Sequence, residues 1–247
     1  MQLFANFLQV ISSHILPSAC ISCETFQRHT VCPACINLIA QEQLSNYECC
    51  RQCGITLLEQ EIALLRCQDC VSNPPYFDQT LCLDRYDGRL QKALIQLKYQ
   101  RRLSFAHGLS HIWNKLVDKD CKNFKADYLF PVPLSQEKLC IRGFNQSWEL
   151  AKRINCGSHI QKTPHILMRH HYEHPQAREN RVNRHKAIHE MFYVNPKFQA
   201  ALQGRTIIVF DDVMTSGATL NEIARILKDN GVHQVINWVL LRTLHQR

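Results

Sequence analysis

The chain has 247 residues, 45% of them hydrophobic and 20% charged, with a formal net charge of +8. That length accommodates one sizeable α/β domain plus a small appended module, and the composition excludes a disordered or fibrous polypeptide. The positive balance favours polyanionic partners, and no stretch approaches the roughly 18 apolar residues that cross a membrane, so no integral membrane segment is expected.

Residues 1–17 open the chain with apolar side chains at Leu3, Phe4, Phe7, Leu8, Ile11 and Ile15, one face of a helix expected to dock on the rest of the fold. The segment has no basic leader and no A-x-A-like cleavage site, so it is not read as a signal peptide. Four Cys-x-x-Cys pairs follow: Cys20/Cys23, Cys32/Cys35, Cys50/Cys53 and Cys67/Cys70. Two residues between thiolates form a knuckle that turns both sulfurs toward one metal, and two knuckles complete a tetrahedral zinc site. Residues 18–72 therefore read as a zinc-ribbon module with two structural, all-sulfur sites. Sequential pairing and an interleaved cross-brace use the same eight ligands, and Cys49 could replace Cys50. Gly54 suits the tight turn after Cys53. Thirteen cysteines without an export signal argue for metal ligation in a reducing cytoplasm rather than a disulfide framework. Cys82, Cys121, Cys140 and Cys156 are expected to be ordinary small buried residues.

Asn73-Pro74-Pro75 reads as a linker into a second domain spanning 76–247. There, 77–86 reads as a strand or hairpin arm, 89–102 and 105–117 as helices, and 127–133 as a strand ended by prolines. A loop carrying Lys138, Arg142, Gly143, Phe144, Asn145 and Gln146 leads into a helix over 145–154. Strands are expected at 166–169, 191–194, 206–210 and 235–241. Alternating strands and helices imply a mostly parallel α/β sheet with right-handed crossovers. Between 169 and 190 the chain turns strongly basic. Arg178, Arg181 and Arg184 share one face if helical. A solvated face is the default for such a run, and a flap over an anionic ligand or a groove for a nucleic-acid backbone is the alternative. The histidines there have no carboxylate or cysteine at ligand spacing and are not read as a metal site.

Residues 207–220, IIVFDDVMTSGATL, carry the clearest chemistry. Four apolar residues make a buried parallel strand, with Asp211 and Asp212 at its carboxyl end, where open α/β sheets bind ligands. Thr215, Ser216, Gly217, Ala218 and Thr219 form a small-residue loop whose backbone N–H groups and hydroxyls can surround a phosphate. A helix over 220–228 adds the positive end of its dipole. Paired carboxylates before a phosphate cradle suit a ribose 5-phosphate.

This segment resembles the phosphoribosyl pyrophosphate (PRPP) signature of type I phosphoribosyltransferases. The resemblance implies that the acids contact ribose hydroxyls with Mg²⁺-bound PRPP, that the loop holds the 5′-phosphate, and that Arg142 and Gly143 lie where pyrophosphate is gripped. Lys98-Tyr99, Pro131-Val132-Pro133, the Arg142-Gly143-Phe144-Asn145-Gln146 loop and a Gln176, Arg181, Arg184, Phe192 series are similar to the competence protein F (ComF/GntX-like) family, which joins a zinc ribbon to such a domain. Ala187 departs from the pattern, where an Asn is common. The family resemblance implies a cytoplasmic protein that handles imported single-stranded DNA in natural transformation, alongside other DNA-uptake or recombination proteins. Lys92, Lys98, Arg101, Arg102, Arg178, Arg181 and Arg184 are then the candidate DNA contacts. An active PRPP-dependent transferase with an open acceptor is the alternative.

Overall fold

A computed structural model describes residues 18–117, 124–170 and 191–244. The N-terminal helix expected within 1–17, Cys121, and the basic run with Arg178, Arg181 and Arg184 lie outside the described residues.

The cysteine region begins with a two-residue antiparallel pair, β1 (Ser18–Ala19) and β2 (Phe26–Gln27). Helix α1 (Pro33–Glu42) follows, started by Pro33 and by the Cys32 sulfur accepting the Cys35 N–H. After two short 3₁₀ turns, α2 (Gln68–Ser72) carries Cys70.

The second part is built on a five-stranded sheet. Strand β3 (Gln79–Arg85) leads into α3 (Gln91–Tyr99) and α4 (Ser104–Leu116), then β4 (Tyr128–Pro131). Helices α5 (Gln136–Arg142) and α6 (Gln146–Ala151) lead to the short β5 (Gln161–Lys162). Strands β6 (Leu167–Arg169) and β7 (Phe192–Val194) come next, then β8 (Thr206–Met214), α7 (Ala218–Asp229) and β9 (Gln234–Arg242). The sheet order is β3-β9-β8-β4-β5, and every pairing in it is parallel.

The strands at 166–169 and 191–194 depart from expectation. They form a separate antiparallel pair, β6 with β7, outside the main sheet. The predicted loop after β4 contains α5. Ser135 caps it by accepting the Lys138 N–H at 3.3 Å, and Gly143 at φ +79° ends it. The two-residue β5 is polar and has no apolar run to announce it.

Both faces of the sheet are covered. Trp113 and Trp238 have ring centroids 5.8 Å apart and, with Phe210, Leu83, Leu94 and Ile112, form one core under α3 and α4. Leu220, Ile223, Ala224 and Leu227 of α7 pack on Ile207, Val209, Val235 and Val239 on the other side. With both faces buried, β8 and β9 read as near-continuous apolar runs. Among the described residues no helix is long and apolar enough to cross a membrane.

Candidate functional site

Chain direction places the site. From β4 the chain moves outward through α5 and α6 to β5, whereas from β8 it moves the other way through α7 to β9. The order reverses between β4 and β8, and ligands of open α/β sheets settle in the crevice at the carboxyl ends of such strands. Asp211 and Asp212 lie within β8, which runs four residues past the expected end and closes at Met214.

After Met214 the chain turns through the small-residue loop into α7, which starts at Ala218, so Ala218 and Thr219 are its first turn. Gly217 sits at φ +80°, and a Cβ there would lie 2.6 Å from Cε of Met214. Glycine takes this backbone without strain, whereas a Cβ would also push on the end of the Met214 side chain. Thr215, Ser216, Ala218 and Thr219 are exposed around it. The Ser216 hydroxyl accepts the Ala218 N–H at 3.4 Å. The loop is open, and the first N–H groups of α7 point out of it, as at any helix start.

The aspartates are not equivalent. Asp212 is 4% exposed and forms an ion pair with Lys98 at the end of α3. Gln146 Nε2 donates to Asp212 Oδ1 at 3.2 Å, and the Ser147 hydroxyl reaches Asp211 Oδ1 at 3.3 Å. Asp211 is half-buried, and its Oδ1 also accepts the Asp212 N–H at 2.9 Å. Burial and the neighbouring Asp212 charge raise the Asp211 carboxyl well above the usual range. Burial acts the same way on Asp212, but the Lys98 ammonium outweighs it and holds that carboxyl below the usual range.

Arg142 is 8% exposed. Its Nη1 donates to Gln146 Oε1 at 2.8 Å, and its guanidinium lies 5.3 Å from the centre of the Tyr99 ring. Gln146 thus joins Arg142 to Asp212, and one polar line runs Arg142–Gln146–Asp212–Lys98. Asn145 caps α6 by accepting the Trp148 N–H at 3.3 Å and donates to the Val132 carbonyl at 2.9 Å, which fixes α6 over the end of β4.

The candidate DNA-contacting residues that lie among the described ones also have partners within the chain. Lys98 is the half-buried partner of Asp212. Lys92 pairs with Glu24 at 2.7 Å on the surface. Arg102 donates to Gln96 Oε1 at 2.7 Å, and Arg101, at φ +54°, donates to the Ile141 carbonyl at 2.5 Å. Sequence reasoning missed the roles of Ser147 and Lys98. The adjacency of Gln146 to an Asn cap was the only hint that a polar side chain pointed inward.

The cysteines form two sequential groups, Cys20, Cys23, Cys32 and Cys35, then Cys50, Cys53, Cys67 and Cys70, with the four ligand atoms of each within 4.8 Å of one another. The Cys23 and Cys32 sulfurs are 3.8 Å apart, and those of Cys53 and Cys67 3.6 Å. A tetrahedron of zinc–sulfur bonds about 2.3 Å long has an edge of about 3.8 Å, so both groups fit that metal. Gly54 has φ +71°, as the knuckle turn demands. Cys49 takes no part, and its thiol donates to the Leu44 carbonyl at 3.6 Å. Of the scattered cysteines Cys82 is buried, Cys156 half-buried and Cys140 exposed, because the outer face of α5 is uncovered.

A parallel sheet with an acidic pair and an open small-residue loop at its switch point, preceded by two four-cysteine clusters that could hold zinc, defines an α/β protein with the layout the phosphoribosyltransferase signature leads one to expect, joined to a cysteine module. The chain is 30% identical over 198 residues to the DNA utilization protein YhgH of Escherichia coli O157:H7, covering 79% of this chain and 84% of that one. It is 24% identical over 230 residues to competence protein F of Haemophilus influenzae, covering 90% and 96%. Among solved structures it is similar to a hypoxanthine phosphoribosyltransferase from Staphylococcus aureus, 14% identical, with a TM-score of 0.32, over 56% of this chain and 62% of that one. No protein-family model matches. The chain belongs to the competence protein F family, which includes these DNA utilization and competence proteins.

Proposed function

We propose that the crevice at the ends of β4 and β8 binds the ribose and 5′-phosphate of PRPP, or a related sugar phosphate, with Mg²⁺, and that the protein handles imported single-stranded DNA in the cytoplasm during natural transformation. The carrying observation is the open loop from Thr215 to Thr219, with Gly217 at φ +80° at the start of α7. A phosphate there meets backbone N–H groups and a helix dipole. The half-buried Asp211 faces the ribose position. Asp212 reaches a hydroxyl once Lys98 turns from it toward an anionic group. Arg142 and Gly143 stand beside the leaving-group side of the crevice. Zinc in the two clusters is structural, since sulfur fills every position. Relatives named for DNA utilization and competence support the DNA half of the reading.

Turnover as a PRPP-dependent transferase is the second reading, favoured by one observation: the buried Asp212 is ion-paired with Lys98 in the crevice. A fixed anion there would stabilise the positive charge that develops on the ribose as the bond to pyrophosphate breaks.

Calorimetric titration with PRPP/Mg²⁺ and with single-stranded DNA, separately and in competition, tests the proposal. PRPP should bind, and the Asp211→Asn, Asp212→Asn double variant should lose that binding while keeping its fold. Affinity for DNA should drop steeply with added salt, as phosphate contacts require. PRPP binding that survives the double substitution removes the ribose assignment.

A further inference from the structure

The end of β9 carries a buried charge that the proposed site does not use. Arg242 is 4% exposed, and its Nε and Nη1 donate to backbone carbonyls from three segments. Nε donates to the Cys53 carbonyl at 3.0 Å. Nη1 donates to the carbonyls of Met214 at 3.0 Å, Thr243 at 2.7 Å, and Thr215. A buried charge is costly unless hydrogen-bonded, so these bonds hold together the segments they join. It touches the second cysteine knuckle on one side and the entrance of the phosphate loop on the other.

A second line of contact runs parallel to it. Gln52, within the same knuckle, donates from Nε2 to the Phe77 carbonyl at 3.1 Å, and Phe77 lies under Gly217, where a Cβ would be 3.9 Å from its ring. Thr80 of β3 donates its hydroxyl to the Gln52 carbonyl at 2.6 Å and its N–H to the Arg51 carbonyl at 2.9 Å. The first cluster is placed differently. Ile21 packs on Gly108 of α4, where a Cβ would lie 2.7 Å from it, and Glu24 pairs with Lys92 of α3.

We infer that Arg242 is a positioning residue that makes the shape of the phosphate loop depend on metal in the second cluster and not in the first. The second knuckle has a small apolar core, Ile55 with its cysteines and part of Leu57, so its shape rests on ligation. If the sulfurs are released, the Cys53 carbonyl loses its fixed position. The Arg242 fork then loses an anchor, and the Met214 and Thr215 carbonyls lose theirs. The ligand consequence rests on the function proposed above, whereas the coupling itself does not.

Hydrogen exchange of the amides in residues 214–219, measured on the full zinc-loaded chain, reads the loop directly. Arg242→Lys keeps the charge, but one ammonium cannot span both sides as the planar fork does. It should speed exchange of those amides about tenfold or more and weaken ribose 5-phosphate binding, while zinc content stays unchanged. Cys67→Ser, in the second cluster, should do the same, whereas Cys23→Ser, in the first, should leave the loop as it is. Unaltered loop exchange in Arg242→Lys, or equal acceleration by Cys23→Ser, overturns the inference. If the wild-type chain binds neither ribose 5-phosphate nor PRPP, the proposed function fails, and the exchange rates still decide the coupling.

Discussion

Single charged side chains show most clearly what the fold does to chemistry. Asp84, near the end of β3, is 2% exposed, and burial pushes its carboxyl up to about 6, against the pull of the Arg85 N–H and charge. A carboxyl that holds its proton more tightly folded than unfolded favours the native state below its unfolded value near 4. That advantage disappears as pH rises through about 6. Asp84→Asn should therefore raise stability by about 2 kcal/mol at pH 8 and leave it nearly unchanged at pH 4. Urea denaturation at the two pH values checks this, and an equal gain at both would refute it. Asp211 and Asp212 were legible as a pair from their place after an apolar run. Their division into a raised and a lowered carboxyl was not, because the deciding charge, Lys98, lies far away in sequence.

Secondary elements were legible where burial is one- or two-sided and long. Strands β8 and β9 and helix α7 announced themselves by apolar runs or stripes, although β8 continues past the acidic pair to Met214. Helix α5 did not, because Leu139 and Ile141 are exposed and leave no periodic stripe. Pairing partners were also hidden. Strands β6 and β7 carry the same apolar signal as sheet strands, and only the tertiary fold sets them apart. The loop–helix junction at Gly217 can be tested as a unit. Gly217→Ala meets both a left-handed backbone and the Met214 side chain, and should cost about 1–2 kcal/mol and impair phosphate binding. Gly204→Ala, also at positive φ but with nothing within 4 Å of its Cβ, should cost less and leave binding intact. Denaturant midpoints and ribose 5-phosphate titration of both variants separate the two effects.

At the scale of the molecule, the eight cysteine ligands were readable from spacing, and their sequential grouping required coordinates. The second cluster is not a bead on a linker. Thr80, Gln52, Gly54 against Cys82, and Arg242 join it to the sheet edge. Removing zinc with a chelator should lower the melting temperature of the whole chain by about 5 °C or more, within one transition. A separate α/β endotherm unmoved by chelation would show that the module and sheet melt independently.

Among the described residues β3 pairs within the sheet with β9 alone, with Thr80 opposite Asn237. A strand made early thus waits, unzipped, for one made more than 150 residues later, as the sequence separation of Thr80 and Asn237 shows. During synthesis the knuckle carrying Gln52 and Cys53 can capture its metal long before its Arg242 anchor at the end of β9 exists. On a ribosome, the early half would remain tethered but undocked until β9 emerged and stitched both ends of the polypeptide together.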